Sequence, residues 1–82
     1  MNRLLLFSDD EKQFLITDQI LKKKCKLTWC TYHSLEKNEY PPADVVIMHF
    51  NKEKTKSGAF DSIIRVKGKL GHSTPILAII EG

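Results

Sequence analysis

The chain predicts a single α/β domain, a doubly wound parallel β-sheet with helices on its faces. Three observations carry that expectation. Four apolar runs of 4–8 residues, at 3–8, 27–32, 44–50 and 75–80, suit strands better than helices. None of them alternates cleanly between apolar and polar, and continuous apolar strands suit a sheet covered on both sides. Helical segments separate the runs, and strands alternating with helices imply crossover connections between parallel strands.

The elements follow in order. Leu4, Leu5, Leu6 and Phe7 form the first strand, bounded by Asp9 and Asp10. A helix is expected over 11–24. At 100° per residue, Phe14, Ile16, Thr17, Ile20 and Leu21 fall in one broad arc, while Lys12, Asp18, Gln19, Lys22 and Lys23 fall opposite. Leu15 is the apolar exception on the polar side. Ser8 and Glu11 have capping-box spacing, and Lys22 to Lys24 suit the negative pole of the helix dipole. The second strand, at 27–32, is rich in β-branched and aromatic residues. Between Tyr32 and Pro41 there is room for a turn or two of helix, which Pro41 and Pro42 end. The third strand reads DVVIMHF from Asp44. A loop then leads to a helix over about 58–67 with Phe60, Ile63, Ile64 and Val66 inward, stopped by Gly68 and Gly71. The fourth strand reads PILAII from Pro75.

Composition bounds the rest. With 82 residues there is room for one core, and 41% hydrophobic against 28% charged residues is a globular balance. No apolar stretch approaches the ~20 residues of a membrane span, and no secretory leader is legible, so a cytoplasmic location is expected. Cys25 and Cys30 form neither a disulfide framework nor the paired spacing of a zinc site, and are read as free thiols. The net charge of +3 comes with two lysine clusters, Lys22 to Lys26 and Lys52 to Lys56. Trp29 and Tyr32 near the first cluster have the residue types of a nucleic-acid surface, but solvated lysines and a core Trp29 are the expected reading. His33 and His72 have no partner at recognisable spacing.

In a doubly wound sheet the functional site lies beyond the C-terminal ends of the strands. There the sequence places Ser8, Asp9 and Asp10 after the first strand, His49 to Asn51 after the third, and Ile80 to Gly82 after the fourth. This ordered set resembles the receiver domain of two-component response regulators. Asp9-Asp10-Glu11 resembles the acidic pair that holds magnesium, and Pro42 to Asn51 resembles the segment ending in the phosphoacceptor aspartate. Gly58 resembles the glycine that follows that aspartate, and Thr74-Pro75-Ile76-Leu77 resembles the start of the fourth strand. The likeness runs the length of the chain and implies a flavodoxin-like, receiver-type sheet of four strands in the order 2-1-3-4, truncated after the fourth.

The departures from the pattern decide what the resemblance implies. Counting from Asp44, the phosphoacceptor position falls on His49, and the position of the switch hydroxyl falls on Ile80. The family's lysine lies on a fifth strand, which this chain does not reach. Phosphoryl transfer needs a carboxylate nucleophile and a metal to neutralise charge. Imidazole at position 49 removes the nucleophile and a charged oxygen from a site suited to a hard cation. The expectation is therefore a non-catalytic pseudo-receiver, 1–82, forming the N-terminal part of a longer signalling protein ahead of an output domain. It carries no cofactor, with Asp9 and Asp10 as candidate residual ligands for weakly held Mg²⁺. His49 with the two aspartates also has the ligand types of a transition-metal site. The alternatives are a phosphorylatable or metal-binding receiver and a small nucleic-acid-binding domain. Because the outer edge of the fourth strand would be open, a homodimer is expected, through Pro75, Leu77 and Ile79 of that strand or through the first helix at Leu15.

Overall fold

A computed structural model describes residues 2–22 and 24–81. The chain forms β1 (Arg3–Phe7), α1 (Glu11–Leu21), β2 (Lys26–Cys30), α2 (Tyr32–Glu36), β3 (Val45–Phe50), α3 (Lys52–Ser57), α4 (Ala59–Leu70) and β4 (Ile76–Ile80). The strands make one sheet, ordered β2-β1-β3-β4, and every pair is parallel. The expected α/β class, parallel sheet and strand order are therefore present.

The register assigns side chains to faces, since they alternate along a strand. Leu5 lies opposite Val46 and Phe7 opposite Met48. Together with Phe50 these fully buried side chains pack against Tyr32 and Leu35 of α2 and Val66 of α4. Phe7 meets the Tyr40 ring edge-on at 5.0 Å between centroids and Tyr32 at 6.0 Å, geometries that suit the ring quadrupole. Leu6, Ile47 and His49, all buried, point to the other face. There Phe14 stacks on Trp29 at 5.2 Å, and Leu6 is Trp29's register partner. Cys25 and Cys30 are free thiols; burial pushes the Cys30 thiol up in pKa.

Local expectations meet corrections at four places. Helix α1 stops at Leu21, because Lys22 adopts the left-handed conformation and its N–H returns to the Asp18 carbonyl. Lys22 and Lys24 thus lie beyond the helix; Lys23, part of the expected helix end, is outside the described residues. The N-cap of α1 is Asp10, which accepts from the Lys12 N–H, in place of Ser8. Helix α3 occupies what reads as a loop: Asn51 accepts from the Lys54 N–H and Glu53 sits in the first turn. Helix α4 runs through Gly68 to Leu70 and ends at Gly71, whose φ of 99° suits only glycine.

The inward faces also differ from the periodicity. On α1 the buried residue is Thr17, its hydroxyl bonded to the Gln13 carbonyl, while Ile16 and Ile20 are exposed with Leu15. On α4, Ser62 and Val66 are buried, while Phe60 and Ile64 face outward. Among the described residues, no helix is long and apolar enough to cross a membrane.

Candidate functional site

The C-terminal ends of β1 and β3 bring Ser8 and His49 together across 41 positions of sequence. Both are buried: Ser8 has no exposed surface and His49 is 3% exposed. Ser8 Oγ and His49 Nδ1 are 2.9 Å apart. His49 Nε2 lies 3.4 Å from a carboxylate oxygen of Glu81, which follows β4 and is exposed.

Hydrogen bonding orders this row. The Asp10 N–H donates to Ser8 Oγ at 3.0 Å, so the serine oxygen already serves as an acceptor. The Ser8 hydroxyl also reaches the Asp10 carbonyl at 3.3 Å, as donor, and the direction of its bond with Nδ1 follows the imidazole tautomer. Each imidazole nitrogen has a polar partner, Ser8 Oγ at Nδ1 and the Glu81 carboxylate at Nε2. The Trp29 indole N–H donates to the Ser8 carbonyl at 2.8 Å, and the Tyr32 hydroxyl donates to the His49 carbonyl at 2.9 Å. Both strand ends are held by side chains from β2 and α2.

Serine, histidine and glutamate in a row are the residue types of a nucleophilic relay. Here the serine cannot serve as the nucleophile. It has no surface for a substrate to approach, and its oxygen is committed to the chain turning into α1. The row packs and fixes strand ends.

The two aspartates are spent on separate helices. Asp9 Oδ1 accepts from the Tyr32 N–H at 3.1 Å, at the start of α2. Asp10 Oδ1 accepts from the Lys12 N–H at 2.9 Å, at the start of α1. Three oxygen ligands around one Mg²⁺ would have to come from Asp9, Asp10 and position 49, and position 49 offers an imidazole with both nitrogens engaged. The residues do not fit the three-carboxylate site. Among the described residues, no group of three or more His, Cys, Asp and Glu side chains is placed to hold a metal ion.

Ile80 ends β4 opposite Phe50, more than half exposed, with no hydroxyl to offer. Lys54 lies over the Tyr32 ring, 4.6 Å from its centroid, a cation–π contact on the α2–α4 side of the sheet. Burial, with the nearby Asp9 charge adding to it, raises the Tyr32 phenol far above its ordinary pKa. Of the expected interface residues, Leu15, Pro75 and Leu77 are exposed and Ile79 is half-buried. The lysines Lys22, Lys24 and Lys26 are exposed, and Trp29 is half-buried against Phe14.

The sequence reading did not single out Ser8 or Glu81 as partners of His49. Neither spacing nor periodicity signals them, because the link runs through the pairing of β1, β3 and β4. Sequence could have flagged α3 through the Asn51 cap. No family model, curated protein or solved structure matches the chain.

Proposed function

We propose that this domain is a receiver-type module, flavodoxin-like in topology, that has lost phosphoryl chemistry and acts by binding protein. The observation that carries the reading is the state of position 49. It sits at the end of the central strand β3, where the resemblance puts the acceptor carboxylate. Instead it holds a buried imidazole locked between Ser8 and Glu81. An imidazole so engaged offers neither a free lone pair to a phosphorus atom nor a charged oxygen to Mg²⁺. Ile80 supplies no hydrogen-bond donor to a transferred phosphoryl group. What the fold leaves available is surface. Large apolar side chains on α1, α4 and β4 face solvent, and contiguous exposed apolar area marks partner sites. The partners of this reading are a second copy of the chain and an output domain.

The test is incubation with a small phosphodonor and Mg²⁺, read by intact mass. The expected result is no added phosphate. A phosphate adduct mapped to Asp9, Asp10 or His49 would overturn the reading.

A further inference from the structure

We infer that β4 is a homodimer interface, in which two copies join their free β4 edges antiparallel about a two-fold axis at Ala78. One continuous eight-stranded sheet results. The inference rests on the reading of the domain as an interaction module and names its partner and geometry.

Backbone bonding settles which groups are free. The Val46 N–H donates to the Pro75 carbonyl, and the Glu81 N–H donates to the Phe50 carbonyl. Residues 75 and 81 therefore turn their polar groups toward β3, and by alternation so do 77 and 79. Ile76, Ala78 and Ile80 turn theirs outward, away from the sheet. Pro75 does not guard this edge, since its missing N–H lies on the β3 side.

The two edges of the sheet are protected unequally. Soluble proteins block free edges with charges, prolines or bulges. At the β2 edge the outward backbone groups belong to Leu27 and Trp29, both half-buried, and the exposed Lys26 opens the strand. The β4 edge reads Ile76, Leu77, Ala78, Ile79, Ile80, with no charge within the strand. A parallel sheet needs cover on both faces, yet Leu77 on one face and Ile80 on the other are 58% and 61% exposed.

A second copy supplies what this edge lacks. Closed dimers place the same patch against itself, and two identical strand edges related by a two-fold perpendicular to the sheet run antiparallel. With the axis at Ala78, that residue faces its own copy, and Ile76 faces Ile80 of the partner subunit. Each of these three residues is among those with outward polar groups, so each donates and accepts one bond. The two-fold keeps faces matched, and α4 of both copies then flanks the joined strands. Phe60, 81% exposed, lies on the side of α4 turned away from α2, toward this edge; Arg65, on the opposite side, reaches the Glu36 carbonyl of α2. Phe60 offers on the order of 150 Å² and the five strand residues together roughly 350 Å². Two copies would hide about 1,000 Å², the size at which specific interfaces begin. Helix α1 also exposes Ile16 and Ile20, but its backbone is already bonded within the helix. The β4 edge combines unpaired backbone groups with an uncharged strand whose Leu77 and Ile80 are exposed, whereas the outward-facing residues of the β2 edge, Leu27 and Trp29, are half-buried.

Light scattering after size exclusion, at tens of micromolar protein, should give twice the 9.4 kDa chain mass. Hydrogen exchange should show the Ile76, Ala78 and Ile80 amides at least ~10-fold more protected at high than at low protein concentration. Ala78→Pro removes an outward N–H that the monomer's sheet does not use, so it should give a folded monomer. Ile80→Lys, at an exposed site, is the second variant and should do the same. A monomeric wild-type chain would overturn the proposal. So would a dimer whose three amides stay unprotected, which would place the contact elsewhere, as on α1, while leaving the interaction-module reading intact. Phosphate uptake in the separate mass assay would defeat that reading and leave the edge geometry to stand on the exchange data.

Discussion

Replacing His49 by Asp sets a carboxylate at the end of β3, as the proposed reading would require of a working acceptor, and the structure predicts what that costs. Position 49 is 3% exposed, with Ser8 Oγ 2.9 Å from Nδ1 and a Glu81 oxygen 3.4 Å from Nε2. Aspartate is too short to reach past the Nδ1 position, so it would keep the serine bond and lose the bridge to Glu81. It would also set a buried negative charge near the Glu81 carboxylate. Leaving a buried charge without its partner costs about 3–5 kcal/mol, and a hydrogen bond from Ser8 to a charged oxygen returns about 1.5 kcal/mol. The net loss of about 1.5–3.5 kcal/mol is large against the roughly 4–12 kcal/mol of a domain this size. His49→Asn has nearly the same shape without the charge, so the pair isolates the electrostatic part. A buried Asp carboxyl has a raised folded pKa. Its two variants should therefore be nearly equally stable below the unfolded value of about 3.9. The Asp variant should fall behind as pH rises through the folded value. Urea unfolding of both variants across pH 4–8 reads the gap. His49→Asp as stable as His49→Asn at pH 7 would refute the buried, partnered placement of residue 49. With a phosphodonor and Mg²⁺, His49→Asp should still take up no phosphate, because Ile80 gives the phosphoryl oxygens no donor.

Tyr32 sets an alkaline limit. Its folded pKa is raised above the ordinary 10.0 by burial and then by Asp9, so the stability it contributes is complete below pH 10 and is lost as pH rises beyond it. Tyr32→Phe should flatten that limb in circular dichroism while costing about 1–2 kcal/mol at pH 7 for the lost bond to the His49 carbonyl; an unchanged alkaline limb would refute the assignment. Asp44 sets an acid one: the Arg3 backbone N–H at 2.8 Å, then the Arg3 guanidinium, hold its carboxyl below the usual range. The stability it adds is present at neutral pH and lost as pH falls through that lowered value. Arg3→Ala should raise the Asp44 value only part of the way in an NMR titration, since the backbone donor remains, and a full return to the ordinary value would show that the guanidinium acts alone.

The amino-acid sequence by itself determined the class of fold. Four uninterrupted apolar runs separated by helical segments can bury themselves in few other ways, and the alternation alone implies a parallel sheet. The same reading found the strand ends at which Asp9, Asp10, His49 and Ile80 sit, because a strand's span is written in its own residues. Helix faces were less legible. Periodicity turns Phe60, Ile64, Ile16 and Ile20 inward, yet all four are exposed. An apolar arc records which residues would accept cover, and the neighbouring elements decide which receive it. Helix α3 was missed because its lysine-rich surface has no apolar stripe; only the Asn51 cap announces it. The Ser8–His49–Glu81 row was decided by tertiary structure alone. Three segments meet there because β1 pairs with β3 and β3 with β4 in one register, and a shift of one residue would turn His49 to the other face of the sheet. The use of Asp9 on α2 and Asp10 on α1 was likewise set by where the helices start, so two adjacent carboxylates that read as one pair act on two separate helices.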